Sequence, residues 1–218
     1  ILISVISLFL IAQPDIGQTL LVVFCWATLI FTSGINIYIL LAIFIAGATL
    51  LAYLIIYVPR FDYIQGRIFS FFNRETGTHN FQSDKAIESI TSGGFFGKGI
   101  GEGVLKNRVP EAHTDYIISV ISEEFGVVAI MLILLLFLIL IYMVFKKISF
   151  ETNDKVKLIL IGSISLILMQ ATIHVGVNIR LFPTTGMTLP FLSYGGSSII
   201  STSVLGGIIL NLTKRKIT

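Results

Sequence analysis

The residues best able to do chemistry stand just before an apolar segment, in the run Val109–Asp115. Three ionisable side chains, Glu111, His113 and Asp115, fall within five positions. A carboxylate partly buried at a membrane boundary has a raised pKa, which suits a general base. A structural role is the alternative, because Thr114 or Asp115 could cap the following helix by accepting from its free backbone N–H groups.

A polar stripe continues the face of Asp115 into the apolar segment. Ser119, Ser122 and Glu123 follow it at helical spacing. Polar side chains that enter a membrane helix are more typical of a cavity or pathway than of a lipid-facing surface. We therefore expect the stripe to line a cavity below Asp115.

A second polar interruption comes near the start of the chain, where Gln13, Pro14, Asp15 and Gly17 separate two apolar runs. One interpretation is that Pro14 and Gly17 break the helix and Asp15 caps the next one. The other is that a lone intramembrane acid orients a cation or a neighbouring helix end.

The third constellation is Leu181–Ser198, which is rich in small and hydroxyl residues. Close helix packing would explain the small residues near its end. Equally, exposed backbone N–H groups there could bind an anionic group. The residues concerned are Ser193, Gly195, Gly196, Ser197 and Ser198. No His and Cys spacing is that of a zinc site, so we predict no metal site from the spacing.

The elements that must position these residues are membrane helices. The chain is 55% hydrophobic with a mean hydropathy of +0.92 and only 12% charged residues, about half the charged share of a soluble domain. Asp15 is the sole formal charge in residues 1–58, and Arg180 is the sole one in residues 158–213. Because a charge at the membrane centre costs about 2.5–3.5 kcal/mol, such stretches are bilayer spans. The sequence predicts an all-α polytopic transmembrane bundle.

We interpret residues 1–218 as one membrane domain whose leading spans are absent, because the chain opens with Ile1 in an apolar run. Its predicted parts are transmembrane helices within 1–57, an extracytoplasmic loop over 58–114, and further spans over 115–147, 158–179 and 188–212.

The short loops set the orientation. Basic residues crowd the loop at 146–157 and the chain end at 214–216, and both should be cytoplasmic by the positive-inside rule. The loop over 58–114 then lies outside, and its length indicates a working surface. Nucleic acid is excluded as a partner, because the basic residues fall in loops and ends and do not form one soluble face.

Taken together, the polar segments resemble the SEDS family of bacterial cell-wall polymerases (shape, elongation, division and sporulation proteins). The resembling segments are Gln13–Gly17, Pro110–Asp115, Glu123–Gly126 and Pro183–Ser198. Residues 99–103 and 72–82 look more like the division members than the elongation members.

The resemblance implies a glycosyltransferase that joins the disaccharide units of lipid II into glycan strands. The family's essential acid falls on Asp115, which would accept the proton of the acceptor 4-hydroxyl while undecaprenyl pyrophosphate leaves. Glu111 and His113 would contact the substrate. The resemblance also implies a multi-pass protein of the bacterial inner membrane, at the division septum. Its partners there would be a class B penicillin-binding transpeptidase and other division proteins.

Cations should lie near the leaving pyrophosphate, which gains negative charge. The outward candidates are Arg67, Lys98, Lys106, Arg108 and Arg180. A divalent cation, Mg²⁺ or Mn²⁺, could share this task, although the sequence shows no clear cage for it. Division members commonly carry Lys where this chain has Thr185, so Arg180 would have to supply that charge.

Two other functions stay open. A flippase would move lipid II across the membrane, with Asp15 and the stripe below Asp115 as its pathway, but it should place its essential charges at the midplane. A non-catalytic scaffold of the division machinery is the other alternative. The family's further spans ahead of Gln13 are missing here, and a truncated copy could be inactive.

Overall fold

The structure is a computed structural model that describes residues 2–13, 15–73, 78–104 and 109–214. These residues form helices and connecting loops, without a strand among them. The helices are α1 (Leu2–Ala12), α2 (Ile16–Thr32), α3 (Ile37–Tyr57), α4 (Asp62–Asn73), α5 (Thr78–Gly93), α6 (Ile117–Phe150), α7 (Asp154–Asn178) and α8 (Gly196–Thr213). The all-α prediction is confirmed.

Short polar side chains begin three of the long helices. Asp15 accepts from the N–H of Gln18 (3.0 Å) at the start of α2. Asn36 and Asn153 cap α3 and α7 in the same way. Each cap satisfies a backbone donor that has no partner within its helix. The structure therefore confirms the interpretation that Asp15 caps α2.

Four helices, α3, α6, α7 and α8, are long and apolar enough to cross a membrane. Their burial differs sharply. In the most apolar window of α7, 56% of residues are buried, against 6% in α3 and in α6. Helix α7 packs against α2, α6 and α8 and is the centre of the bundle. The other helices leave most of their apolar side chains facing outward, as lipid contact requires.

The region between α3 and α6 carries two helices of its own. A 3-10 turn at Pro59–Phe61 leads from α3 into α4, and α5 then packs along the outer part of α6. The predicted outer loop is therefore a folded layer over one end of the bundle. Its residues Ile64, Ala86 and Val109 are buried.

Helix α6 is broken at Gly126, whose φ of 78° and ψ of 179° are not helical. The loop after α5, residues 94–99, inserts at this break and satisfies the freed backbone groups on both sides. The four hydrogen bonds run from Lys98 N–H to Glu123 C=O (2.9 Å), Gly99 N–H to Glu124 C=O (3.0 Å), Val127 N–H to Gly94 C=O (3.0 Å) and Val128 N–H to Phe95 C=O (3.3 Å). A break inside an apolar helix is tolerated only where such partners exist.

The connection between α7 and α8 is longer than predicted, because it includes the first residues of the predicted span over 188–212. Helix α8 begins at Gly196, and residues 188–195 form an irregular loop. Pro190 lacks the N–H that a helix interior needs, and Gly195 stands at the N-cap. Leu189 and Pro190 are buried in spite of the irregular backbone.

Candidate active site

Asp115 lies in the turn that leads into α6. Glu111 has a φ of 55°, and its carbonyl accepts from the N–H groups of Thr114 (3.1 Å) and Asp115 (3.0 Å). The N-cap of α6 is Tyr116, and no side chain accepts a capping hydrogen bond there. The capping alternative for Thr114 and Asp115 is therefore wrong, and the Asp115 carboxylate is available for another role.

The Asp115 side chain faces a cavity of about 320 Å³. The residues that line it come from α4, α5, the Asp115 turn, α7 and the loop after α7. They are Arg67, Gln82, Asp115, Tyr116, Val177, Thr184 and Gly186. The cavity is partly open to solvent, and its walls carry both polar and apolar groups.

Burial raises the pKa of the Asp115 carboxyl above its usual range, and the negative charge of Glu111 adds to the rise. A hydrogen bond with Thr114 and the positive charge of Arg67 act in the opposite direction. A carboxylate with a raised pKa is a better proton acceptor than an exposed one. The arrangement can therefore support general-base chemistry at Asp115.

The backbone around Asp115 is held by the loop after α7 and by α7 itself. Three successive carbonyls each accept one hydrogen bond from that side. The donors are Tyr194 N–H to His113 C=O (3.0 Å), Ser193 Oγ to Thr114 C=O (2.6 Å) and Asn178 Nδ2 to Asp115 C=O (3.0 Å). This three-carbonyl clamp fixes the turn from which the Asp115 side chain projects.

Ser193 therefore contacts the Asp115 turn through the backbone of Thr114, and its Oγ also accepts from the N–H of Leu189 (2.8 Å). The other small residues of this motif lie at the start of α8. Gly195 is its N-cap, Gly196 and Ser197 are exposed, and Ser198 contacts Thr188 through their hydroxyls (2.7 Å). None of these residues is among the described residues that line the Asp115 cavity.

The predicted cations lie in different places. Arg67 lines the Asp115 cavity and donates from Nη1 to the carbonyl of Thr184 (3.0 Å). Lys98 pairs with Glu123 (3.1 Å), and Arg180 pairs with Asp84 on α5. Lys106 and Arg108 lie outside the described residues. Arg67 is therefore the one predicted cation that the described part of the chain brings to the cavity.

Glu111 and His113 are both exposed beside the turn. The Glu111 carboxylate accepts from the hydroxyl of Thr114 (3.1 Å). His113 lines a second, more apolar cavity of about 330 Å³ with Ile117, Leu192 and Tyr194. The two side chains thus stand on the outer rim, whereas Asp115 points into the first cavity.

The first polar motif contacts the third one. A Cβ on Gly17 would lie 2.9 Å from Cγ of Met187 and 3.1 Å from the carbonyl of Thr185, so the start of α2 packs directly on the loop after α7. Gln13 ends α1 through its backbone N–H, and Pro14 lies outside the described residues. The motif supports the loop that clamps Asp115 and does not itself reach the cavity.

The polar stripe below Asp115 does not line the cavity as expected. Glu123 is fully buried against α5, where its carboxylate accepts from Ser89 Oγ (3.1 Å) and from the N–H of Val104 (3.0 Å). Ser122 donates to a backbone carbonyl of α5, that of Ile90 (3.2 Å). The stripe is polar because it joins two helices and a loop through hydrogen bonds.

Sequence reasoning missed two polar residues at the site. Asn178 is fully buried at the end of α7 and bonds the carbonyls of Asp115 and His174. The only feature of the sequence that could have indicated Asn178 is a polar amide at the end of an apolar span. Gln82 lines the cavity from α5, and the segment 72–82 carries no signal beyond its family resemblance. Among the described residues, no three His, Cys, Asp or Glu side chains cluster as a metal cage.

Comparison with known proteins identifies the family. Residues 1–217 match the family model of FtsW, RodA and SpoVE, described as "Cell cycle protein". Two relatives named "Probable peptidoglycan glycosyltransferase FtsW" are similar to this chain. That of Caulobacter vibrioides is 35% identical over 209 residues, covering 95% of this chain and 52% of the relative. That of Enterococcus hirae is 32% identical over 225 residues, covering 97% and 57%.

A solved structure shares the fold. It is described as "Structural coordination of polymerization and crosslinking by a peptidoglycan synthase complex", and one of its chains superposes with a TM-score of 0.77 at 27% identity, covering 97% of this chain and 60% of that chain. The chain spans about half the length of the curated relatives it matches. It is a multi-pass membrane protein, and it belongs to the FtsW/RodA/SpoVE family of cell cycle proteins.

Proposed function

We propose that this chain is the catalytic part of a peptidoglycan glycosyltransferase that polymerises lipid II into glycan strands. The observation that carries the proposal is the Asp115 carboxylate, which is free of a capping role, has a raised pKa and faces a cavity. The relatives' names supply the reaction class.

In the proposed step, Asp115 accepts the proton of the acceptor sugar's 4-hydroxyl. The hydroxyl oxygen forms a bond to the anomeric carbon of the donor sugar, and the bond from that carbon to the pyrophosphate oxygen breaks. The electron pair leaves with undecaprenyl pyrophosphate. The three-carbonyl clamp contributes by holding the base in one position, which reduces the cost of orienting the reacting groups.

Arg67 is the cation that we assign to the leaving group. Its positive charge is close enough to lower the pKa of Asp115, and it lines the same cavity. A cation placed where negative charge develops stabilises the transition state. Lys98 and Arg180 lie in ion pairs with Glu123 and Asp84, so they are secondary candidates.

We further propose a septal role in the inner membrane, with a penicillin-binding transpeptidase as the partner that cross-links the new strand. Support comes from the relatives named FtsW and from the peptidoglycan synthase complex that shares the fold. The placement of basic residues around α6–α7 supports an outward-facing Asp115.

The test is a polymerisation assay on the full chain in proteoliposomes, with labelled lipid II and an inactivated cognate transpeptidase. We expect glycan strands from the wild-type chain. The same vesicles report whether labelled lipid II becomes accessible on the opposite leaflet. Translocation without strands would replace the polymerase with the flippase, and neither activity in a folded chain would favour the scaffold.

A further inference from the structure

Gln82 is a polar residue in the wall of the cavity that the candidate base also lines. It lies on α5 and lines the cavity together with Asp115 and Arg67. Its neighbour Ser83 is buried, whereas Gln82 itself is half-buried with its side chain toward the cavity. No residue in the described part of the chain forms a hydrogen bond with the Gln82 amide.

Gln170 is a glutamine of this protein whose amide has a structural role, and it serves as a comparison for Gln82. Its Nε2 donates to the carbonyl and hydroxyl of Thr188 (3.0 and 3.1 Å) and to Oγ of Ser198 (3.3 Å). Gln170 thus ties α7 to the loop and to α8. Gln82 makes no comparable bonds to the described residues, so packing of the described elements does not account for its amide.

The chemistry of an amide fits a sugar. The Gln side chain offers an oxygen acceptor and two N–H donors, and it carries no charge that would compete with Asp115 or Arg67. Sugar hydroxyl and acetamido groups present donors and acceptors in the same way. The acceptor's reacting hydroxyl must lie within hydrogen-bond reach of Asp115, so substituents of that ring also fall within the cavity that Gln82 lines.

We propose that Gln82 binds the acceptor sugar, with its amide holding a hydroxyl or acetamido group while Asp115 faces the reacting hydroxyl. This inference rests on the proposed glycosyltransferase function. It makes Gln82 a substrate-binding residue that acts on affinity, and Asp115 the residue that acts on the chemical step.

The experiment compares Gln82→Ala with Gln65→Ala, a matched change at an exposed position of α4 outside the cavity lining. Steady-state polymerisation of labelled lipid II gives KM and kcat. Loss of a neutral hydrogen bond to substrate should lower kcat/KM about tenfold, mainly through KM. Gln65→Ala should leave both constants unchanged.

A binding measurement separates this proposal from the proposed function. In the Asp115→Asn background, which blocks turnover, the Kd of labelled lipid II in nanodiscs should rise about tenfold when Gln82→Ala is added. An unchanged Kd and an unchanged KM would overturn the role of Gln82 and leave the polymerase standing. A raised Kd in a chain whose wild type forms no strands would overturn the polymerase and keep Gln82 as a sugar-binding residue.

Discussion

At the scale of single residues, the structure decides between two roles that the sequence allows for Asp115, that of a helix cap and that of a carboxylate facing a cavity. Asp115 could have been a helix cap, but Tyr116 occupies the N-cap and the carboxylate faces a cavity. Asn178 and Ser193 hold the backbone on either side of the carboxylate. Asn178 and Ser193 therefore position the candidate base through its backbone and leave its carboxylate oxygens available.

The negative charge of Glu111 leads to a prediction for the pH dependence of kcat/KM. Asp115 must be ionised to accept a proton, so kcat/KM should rise with pH through its pKa. Glu111 raises that pKa, and Glu111→Gln removes the negative charge but keeps an acceptor for Thr114. The acidic limb of the kcat/KM profile should therefore move to lower pH. The profile of the polymerisation assay is the measurement.

The matched control is Glu102→Gln, a change at an exposed glutamate of the outer layer that is not among the causes of the Asp115 shift. Its acidic limb should coincide with that of the wild type. A limb that stays in place in Glu111→Gln, or moves to higher pH, would contradict the electrostatic assignment.

The sequence could single out Asp115 as a candidate, because an acid at the edge of an apolar segment carries a clear signal. It could not predict Gln82 or Asn178 in the same way. Both are single neutral amides. Asn178 is distinguished by a contact across the chain, to the Asp115 carbonyl, and Gln82 by its place in the cavity wall. Nor could it show that Glu123 pairs with Lys98 across 25 positions.

At the scale of elements, α6 is the least regular helix and the one most tied to the site. The sequence shows that α6 is long and apolar, but it does not show the break. A single glycine in an apolar run, such as Gly126, is usually tolerated within a continuous helix. The inserted loop holds the outer part of α6 to α5 through backbone hydrogen bonds. The predicted start of α8, at residue 188, was wrong for a related reason, since the apolar loop before Gly196 has the composition of a span.

A prediction at this scale concerns Gly126. A Cβ there would lie 2.2 Å from the carbonyl of Phe95, on a residue whose φ of 78° disfavours any L side chain. Gly126→Ala should lower the free energy of unfolding by at least about 2 kcal/mol, because strain and a backbone clash combine. Thermal unfolding in detergent is the measurement.

Gly207→Ala in α8 is the matched control, since a Cβ there meets nothing within 4 Å. Alanine is the better helix former, so this change should be neutral or stabilising by up to about 1 kcal/mol. Equal melting temperatures for the two variants would show that the inserted loop does not constrain Gly126.

At the scale of the whole molecule, the bundle is organised around α7. The site lies at the start of α6, and the basic residues lie at the other end of that helix, in the last turn of α6 and the first turn of α7. The long charge-free stretches of the sequence do form apolar helices, and four of the described helices are long and apolar enough to cross a membrane. The sequence could not predict that α7 is central, since α3 and α7 are both apolar enough to cross a membrane, yet only α7 is largely buried.

The orientation yields a topology prediction. Cys25 is the single cysteine, so Cys25→Ser gives a background for labelling. Glu102→Cys should react with a membrane-impermeant maleimide in intact cells, and Asp154→Cys should react only after permeabilisation. The reverse pattern would place Asp115 on the cytoplasmic side and exclude the proposed outward-facing site.

We propose Asp115 as the base of a lipid II polymerase, and the most direct test of that role compares two Asp→Asn variants in the strand-forming assay. Asp154→Asn, at the exposed start of α7, is the control. We expect strands from the wild type and Asp154→Asn, and a loss of at least about a hundredfold in kcat for Asp115→Asn with unchanged membrane insertion. Strand formation by Asp115→Asn at the wild-type rate would contradict the account.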